Sequence, residues 1–194
     1  MIEYIKGRIT ERNPAYLVIE TNAGTGYFIS ISLNTYSLLD GVVDVTLPVH
    51  EVIREDAHQL YGFADRGERE LFRLLISVNG VGPNTARMML SSLKPAEIER
   101  AISESNVNLL KSIKGIGMKT AERIIVDLRD KTGKVAAAAG ILPSRDNTMR
   151  EEALSALMML GFVRSASLKV IEKLLAENEN LTVEELIKQA LRNL

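Results

Sequence analysis

Two stretches of the chain, 35 residues apart, carry almost the same residues around a pair of glycines. The first reads SVNGVGPNTA from Ser77, and the second reads SIKGIGMKTA from Ser112. Glycine lets the backbone reverse with positive φ and come close to a ligand. A helix that begins at such a turn presents unpaired N–H groups and the positive end of its dipole, which together bind an anion such as phosphate.

Each repeat also supplies side-chain donors around its predicted phosphate site. Thr85 and Thr120 add hydroxyl groups, while Lys114, Lys119 and Arg123 add positive charge. A site of this kind holds phosphate and ignores base identity. Tandem turns are typical of the helix-hairpin-helix motif of DNA-binding proteins that read no sequence, and a pair suits the two backbones that flank one minor groove. The residues predicted to contact DNA are Asn79, Gly80, Gly82, Asn84, Thr85, Lys114, Gly115, Gly117, Lys119, Thr120 and Arg123.

The two repeats differ in the charge they carry. Asn84 stands where the second repeat has Lys119, so the first repeat has weaker charge assistance. Pro83 also removes one backbone donor at the helix start, although proline is well tolerated at a first helical position. We therefore expect the two hairpins to contribute unequally to binding.

Positive charge is concentrated around the repeat. The chain as a whole has a formal net charge of -1. Residues 1–64 carry 4 Lys and Arg against 8 Asp and Glu, whereas residues 65–132 carry 12 against 9. A local excess of cations attracts a polyanion, so the distribution favours nucleic-acid binding by the middle of the chain.

The elements that must position these turns follow from hydrophobic periodicity. Residues 1–63 contain the runs AYLVIET, GYFISISL and VVDVTLPVHEVI between turn formers, which predict five short strands in a small closed barrel of the OB type. Residues 64–132 change to helical periodicity, and further helices are predicted near Pro95 and over 107–113. The first helix places four apolar residues on one face: Leu71, Leu74, Leu75 and Val78.

The rest of the chain predicts a linker and a small helical domain. Residues 133–147, GKVAAAAGILPSRDN, are rich in Gly and Ala and predict a flexible linker. Residues 148–194 predict three short helices, with Gly161 as a C-cap and with Thr182 and Glu185 as a capping box. The predicted fold class is α+β multidomain: an N-terminal OB-fold barrel, a central all-α tandem helix-hairpin-helix domain, the linker and a C-terminal three-helix domain like ubiquitin-associated domains.

Lys119 has two rival interpretations as a catalytic or nucleotide-binding residue. A P-loop needs Gly directly before Lys-Thr, and Met118 stands there instead. A DNA glycosylase hairpin of the type Gly-x-Gly-x-Lys-Thr-Ala uses its lysine to form a Schiff base. By resemblance, that family expects a catalytic Asp well beyond the second helix, where this chain reads GKVAAAAG, and Asp127 and Asp130 come too early. A phosphate contact is the favoured interpretation of Lys119.

The composition limits other functions. The absence of cysteine excludes disulfides and thiolate metal sites, and His50 and His58 stand apart from any cluster of metal-ligating residues, so we predict no metal and no cofactor. The start MIEYIKGRIT lacks the apolar stretch of a signal peptide, and no apolar run is long enough to cross a membrane. We expect a cytoplasmic protein.

The order of all these segments resembles one family, the RuvA proteins, which bind Holliday junctions as subunits of the bacterial branch-migration machine. The resemblance rests on VIREDAHQLYGF (52–63), VNGVGPNTA (78–86), KGIGMKTAERIIVDLRDK (114–131) and EALSALMMLGF (152–162), and it covers the whole chain in order. It implies a non-catalytic subunit in DNA recombination, repair and the SOS response to DNA damage. The hairpins of a four-fold symmetric tetramer would hold an open, planar four-way junction.

The resemblance also assigns further residues and partners. Glu55 and Asp56 match the family's acidic pin, which would repel phosphates at the crossover and disfavour ordinary duplex. A RuvB-type AAA+ ATPase would be contacted by the C-terminal domain, and a junction resolvase is a further partner that the resemblance allows. The residues expected near the ATPase contact are Leu157, Leu160, Gly161 and Phe162.

Several alternatives stay open from sequence alone. The chain could be a helix-hairpin-helix glycosylase or lyase, or a protein-interaction adaptor whose hairpins are only structural. The acidic pair could be an ordinary solvated turn. One tetramer or two, forming an octamer, could enclose the junction.

Overall fold

The computed structural model describes residues 1–132, 145–178 and 181–194. The chain divides into two compact units, Met1–Gly140 and Ile141–Leu194. The first unit holds a β-barrel and a helical part, and the second unit is helical in its described residues. This is the α+β multidomain class that the sequence predicts.

Five strands form the closed barrel: β1 (Tyr4–Asn13), β2 (Tyr16–Glu20), β3 (Gly26–Ile31), β4 (Asp44–Ile53) and β5 (His58–Gly62). Their order around the barrel is β1-β2-β3-β5-β4, and only the β3–β5 pairing is parallel. Alternating apolar side chains fill the interior, as the period-2 pattern predicts. The barrel core consists of Ile5, Leu17, Ile19, Ile29, Ile31, Leu39, Leu47, Val49 and Leu60.

The sequence interpretation missed one element of the barrel, the helix α1 (Leu33–Leu38) that follows β3. The apolar run GYFISISL continues into this helix without a break in composition. Ser32 caps the helix by accepting a hydrogen bond from the Thr35 amide, and Thr35 itself is buried. Both hydroxyls bond to Glu68, which is more than 30 residues away, so the determining contact is not local.

Five helices form the rest of the first unit within its described residues: α2 (Arg66–Ile76), α3 (Pro83–Ser92), α4 (Pro95–Ser103), α5 (Val107–Lys111) and α6 (Met118–Thr132). The amphipathic helix predicted from Arg66 and the helix predicted from Pro95 are confirmed. The helix predicted over 107–113 ends two residues earlier, at Lys111. These helices share one core, to which the barrel contributes Tyr61 and Phe63 from the end of β5 and the residue after it.

Buried polar contacts join α2 to the barrel. The carboxylate of Glu68, which is 1% exposed, accepts hydrogen bonds from the Ser32 and Thr35 hydroxyls and from the Ala64 amide. The guanidinium of Arg69, also buried, donates to the Glu3 carbonyl and pairs with the Glu3 carboxylate at 2.5 Å. The pKa of Glu3 is lowered, chiefly because its carboxylate accepts this hydrogen bond from Arg69. These contacts fix the barrel to the helix that leads into the first glycine turn.

The second unit contains α7 (Arg145–Met159), α8 (Arg164–Glu177) and α9 (Val183–Asn193) among its described residues. Gly161 has a φ of 96°, the Phe162 amide bonds to the Leu157 carbonyl and the Gly161 amide bonds to the Met158 carbonyl, which confirms the predicted glycine cap. The capping box of Thr182 and Glu185 is also confirmed. Of the predicted linker, residues 133–144 lie outside the described residues, and residues 145–147 begin α7.

Candidate nucleic-acid interface

The two glycine turns have the same backbone geometry. The first turn (residues 77–82) joins α2 to α3, and the second turn (residues 112–117) joins α5 to α6. Gly80 has a φ of 94° and Gly115 a φ of 92°, a region that favours glycine. The Val81 amide bonds to the Val78 carbonyl at 3.0 Å, and the Ile116 amide bonds to the Ile113 carbonyl at the same distance. The repeated sequence therefore produces a repeated structure.

The central hydrophobic residue of each turn holds the turn to the core. Val81 is 4% exposed and Ile116 is 5% exposed, and both belong to the helical core. At the first residue of each turn a serine hydroxyl, from Ser77 or Ser112, donates to the carbonyl three residues earlier at 2.7 Å. Val81 and Ile116 therefore pin the two turns to the helical core.

The second glycine of each turn differs from the first. The sequence predicts positive φ at both glycines of each pair, but Gly82 has a φ of -85°, which any residue adopts, and Gly117 is not among the positive-φ glycines of the described residues. Apart from its neighbours in the chain, a Cβ atom built on either residue would have no atom of the described residues within 4 Å. Neither backbone conformation nor packing within the chain requires glycine at these positions. Close approach of a ligand to the backbone would explain both glycines.

The two turns lie side by side. A Cβ atom built on Gly80 would lie 4.0 Å from the hydroxyl oxygen of Thr120. The Arg123 guanidinium, which the sequence predicts to contact DNA, donates to the Asn79 carbonyl in the first turn at 3.5 Å. Arg123 thus connects α6 to the first turn, a contact that sequence spacing alone does not reveal.

The predicted side-chain donors are accessible. Lys114, Lys119 and Asn84 are exposed, whereas Thr85 and Thr120 are half-buried beside the starts of α3 and α6. The structure therefore brings the predicted residues of both repeats to one region of the helical part.

The first hairpin contacts the barrel at two residues that the sequence interpretation did not single out. The Tyr61 hydroxyl, from β5, lies 3.2 Å from Asn84 Oδ1 and 2.9 Å from Gln59 Oε1. One helical turn after Asn84, the Arg87 guanidinium donates to the Ala15 carbonyl between β1 and β2 at 3.0 Å. Tyr61 stands in the quoted LYGF stretch, but its partner is 23 residues away and local patterns cannot indicate such a contact.

Glu55 and Asp56 occupy the tip of the hairpin between β4 and β5. Both side chains are exposed, and the Arg54 amide closes the loop by bonding to the Ala57 carbonyl at 2.7 Å. At the base of this hairpin, His58 Nε2 lies 2.8 Å from Glu51 Oε1, and this hydrogen bond is the largest cause of the lowered pKa of Glu51. The acidic pair therefore projects from a firmly paired part of the barrel.

The C-terminal unit exposes apolar residues around the Gly161 cap. Of the residues predicted near the ATPase contact, Leu160 is 61% exposed, Gly161 is exposed and Phe162 is half-buried. Leu157 is fully buried in the core of the unit, so it can support that surface but offers no area to a partner. Three exposed neighbours that the sequence interpretation did not include extend the surface: Met158, Met159 and Val163.

The structure gives little support to a lysine nucleophile, a metal site or a membrane-spanning helix in the described residues. Asp127 and Asp130 are exposed on the same helix as Lys119, and a rise of 1.5 Å per residue separates them from it by about 12 Å and about 16 Å along the axis. A carboxylate at that distance cannot assist a lysine nucleophile. Among residues 1–132, 145–178 and 181–194, no group of three or more His, Cys, Asp or Glu could hold a metal ion. None of the helices described is long and apolar enough to cross a membrane.

Three protein-family models match the chain in succession. The RuvA N terminal domain matches residues 1–62, the SAM-like helix-hairpin-helix tandem matches residues 72–130, and the RuvA C-terminal domain matches residues 148–194. The second match covers both glycine turns. The chain is 53% identical to a protein of Christiangramia forsetii over 194 residues, with both chains covered completely.

The chain belongs to the RuvA family. Similar relatives include a protein of Bacteroides fragilis, 54% identical over 202 residues, and one of Flavobacterium psychrophilum, 50% identical over 194 residues, again with both chains covered completely. These relatives and the one from Christiangramia forsetii are each named "Holliday junction branch migration complex subunit RuvA". The RuvA resemblance identified from the sequence is thereby confirmed.

Proposed function

We propose that the chain is a non-catalytic subunit of a branch-migration complex, and that it binds four-way junction DNA by shape and independently of sequence. The observation that carries this proposal is the pair of matching glycine turns, in which Gly82 and Gly117 have open space where a side chain would fit. Glycine at these two positions leaves room for a phosphate against the starts of α3 and α6. Unpaired helix N–H groups then supply the donors.

The exposed cations of the second hairpin support phosphate binding further. Lys114 lies within the second turn and Lys119 follows it, and both are exposed. A lysine near a phosphate releases condensed counterions from DNA on binding, so affinity falls with added salt. Two adjacent turns, held together by Arg123 and Asn79, suit the two backbones of one duplex arm.

The acidic tip supplies the selectivity for a junction in this proposal. Glu55 and Asp56 lie at the exposed end of a barrel hairpin, where they repel phosphates of a strand that runs straight across. At a crossover the strands diverge, so the acidic tip meets fewer phosphates there. Four copies around a four-fold axis would hold the junction open and planar.

The C-terminal unit is the proposed contact for a ring-forming AAA+ ATPase, which would supply the ATP hydrolysis. Three apolar residues around the Gly161 cap are each more than 60% exposed, Met159, Leu160 and Val163. Exposed apolar residues that lie together mark sites of protein interaction. Residues 133–147 would connect this unit to the DNA-binding part. The chain itself needs no catalytic residue in this scheme.

Competition binding tests the proposal. A labelled four-way junction is challenged with excess linear duplex, for the wild type and for Gly80→Asp/Gly115→Asp. The matched control is Gly24→Asp/Gly41→Asp, which introduces the same charge at glycines with φ of 77° and 73°, where a built Cβ would have no atom of the described residues within 4 Å apart from chain neighbours. We expect the wild type and the control to keep the junction and the hairpin variant to release it. Equal competition by linear duplex would refute junction selectivity, and equal loss in both variants would refute the role of the turns.

A further inference from the structure

The Tyr61 hydroxyl occupies an unusual position between the barrel and the first hairpin. The ring of Tyr61 is buried, with its centroid 5.3 Å from that of Phe72, so the ring cannot move far. Its hydroxyl lies between the side chains of Gln59, on the same strand, and Asn84, at the second residue of α3. Burial raises the pKa of Tyr61, and Arg87 and Arg54 partly oppose that rise, so the hydroxyl keeps its proton at neutral pH.

Asn84 is exposed, and its side-chain oxygen is the atom that faces Tyr61. The Tyr61 hydroxyl shares its one hydrogen between Gln59 Oε1 at 2.9 Å and Asn84 Oδ1 at 3.2 Å. The oxygen and the NH₂ group of a carboxamide point away from each other, so the contact with Asn84 turns its NH₂ group away from the barrel. The NH₂ group is then presented as a donor beside the unpaired amides at the start of α3. An exposed asparagine without this contact would rotate freely and lose that orientation.

The second hairpin has no need of such an arrangement. Lys119, the equivalent of Asn84, is exposed and carries a full charge on a long flexible side chain, so it can reach a phosphate from many conformations. Asn84 is short and neutral, and a neutral donor contributes only when its geometry is right. Phosphate binding by the first hairpin would therefore depend on the orientation of a side chain, and phosphate binding by the second hairpin would depend on charge.

We propose that Tyr61 is a positioning residue for DNA binding: its hydroxyl orients Asn84 so that the Asn84 NH₂ group donates to a phosphate of the junction. This inference rests on the proposed function, because it assumes that the first turn contacts phosphate. It adds a residue of the barrel to the phosphate site of the helical part. It also accounts for how the first hairpin compensates for the missing lysine.

A double-mutant cycle tests the inference. Junction affinity is measured for the wild type, Tyr61→Phe, Asn84→Ala and Tyr61→Phe/Asn84→Ala, with thermal unfolding of each protein as a check on folding. We expect each single change to weaken binding roughly five-fold, the worth of one well-oriented hydrogen bond, and the double variant to bind no more weakly than Asn84→Ala alone. A purely structural role of Tyr61 would instead give additive losses. Additive losses, or full affinity for Tyr61→Phe, would overturn the inference.

Two further variants sharpen the result. In an Asn84→Lys background, Tyr61→Phe should have no effect on affinity, because a lysine finds the phosphate without orientation. Tyr16→Phe is the matched control, since its hydroxyl donates to Glu11 on the barrel and it should bind as the wild type does. If Gly80→Asp/Gly115→Asp also binds normally, the proposed function fails; if that variant loses binding and the cycle is additive, only the role of Tyr61 fails.

Discussion

The two glycine hairpins share a backbone but not their surroundings. Gly80 and Gly115 differ by only 2° in φ, and the hydrogen bonds that close the two turns have equal lengths. The first hairpin follows an eleven-residue helix that Glu68 ties to the barrel, and its second helix bonds to Tyr61. The second hairpin follows a five-residue helix and exposes its lysines.

This difference shows which properties a short motif carries by itself. Ten residues suffice to set the turn, because the glycine conformation and the buried Val81 or Ile116 are local features. The way in which a turn grips its ligand depends on what lies next to it. The first hairpin, which contacts the barrel, can use a neutral donor that is held in one orientation. The second hairpin uses the charge of its exposed lysines.

Weakening the contacts that tie Glu68 to the barrel should have the largest effect on stability. In Glu68→Gln, an NH₂ group would replace one oxygen of a buried carboxylate that accepts three hydrogen bonds. The NH₂ group would face a hydroxyl that now donates to Glu68, so that hydroxyl would have to reverse or lose its hydrogen bond, and the free energy of unfolding should fall by about 1–3 kcal/mol. Urea unfolding measures this change.

A control on the same helix separates this effect from a general loss of charge. Glu70 is half-buried and pairs with Arg73 at 2.8 Å, so Glu70→Gln should cost less than about 1 kcal/mol. Equal losses for the two variants would contradict the bracing role of Glu68.

Lys119→Asn should have the next largest effect, because it makes the second hairpin resemble the first without providing a tyrosine to orient the new side chain. We expect junction affinity to fall about five-fold to ten-fold, the difference between a charge-assisted and an absent contact. Lys131→Asn removes the same charge from the far end of α6 and should bind nearly as the wild type. Comparable losses in both variants would indicate a diffuse charge effect in place of a specific contact.

Alanine at the second glycine of each turn should have a smaller effect, and an equal one in both hairpins. Gly82→Ala and Gly117→Ala add a methyl group that, beyond its chain neighbours, meets no atom of the described residues within 4 Å, so the fold should lose at most about 1 kcal/mol. A bound phosphate would meet this methyl group, and affinity should fall roughly three-fold. Unchanged junction affinity in both variants would count against close approach of phosphate to these turns.

The smallest expected effect is a pH dependence of the stability of the protein, which His50 in the barrel should cause. Burial, with Arg73 and Arg69 nearby, lowers the pKa of His50, whose ring lies 5.6 Å from that of Phe72. The unfolded chain then binds more protons than the folded chain as pH falls below about 6.5, so stability should decrease as pH falls from 7 to 5. Glu3 and Glu51 have lowered pKa values, so their contribution to the pH dependence begins at about pH 5 and grows as pH falls further.

Thermal unfolding between pH 5 and pH 7 measures this effect. His58→Asn serves as the parent protein, which leaves His50 as the single histidine of the chain. His50→Asn in that parent should flatten the dependence. If stability still decreases towards pH 5 in the protein that has no histidine, groups other than His50 cause the pH dependence.

Much of this structure could be predicted from sequence, because the deciding patterns are local. Alternation indicated the strands, 3.6-residue periodicity indicated α2, and Gly161 and Thr182 marked helix ends. The misses have a common physical cause. Helix α1 depends on Glu68, and the orientation of Asn84 depends on Tyr61; each pairing joins residues more than 20 positions apart.

The candidate site also combines local features that the sequence predicts with contacts between distant residues that it does not. The turn residues and Lys119 follow from the repeat, but the contact of Arg123 with the Asn79 carbonyl joins residues 44 positions apart. The sequence also could not separate the two glycines of each turn. Positive φ at Gly80 and Gly115 is a matter of local geometry, whereas open space at Gly82 and Gly117 is a property of the folded surface.

The salt dependence of junction binding tests most directly whether one hairpin holds phosphate by charge and the other by orientation. Affinity is measured over a range of salt concentrations for the wild type, Lys119→Asn and Asn84→Ala. We predict that Lys119→Asn reduces the slope of log affinity against log salt by about 0.9 for each phosphate that is no longer neutralised. Asn84→Ala should weaken binding and leave the slope unchanged. Equal changes of slope in the two variants, or no change in Lys119→Asn, would contradict this division between the hairpins.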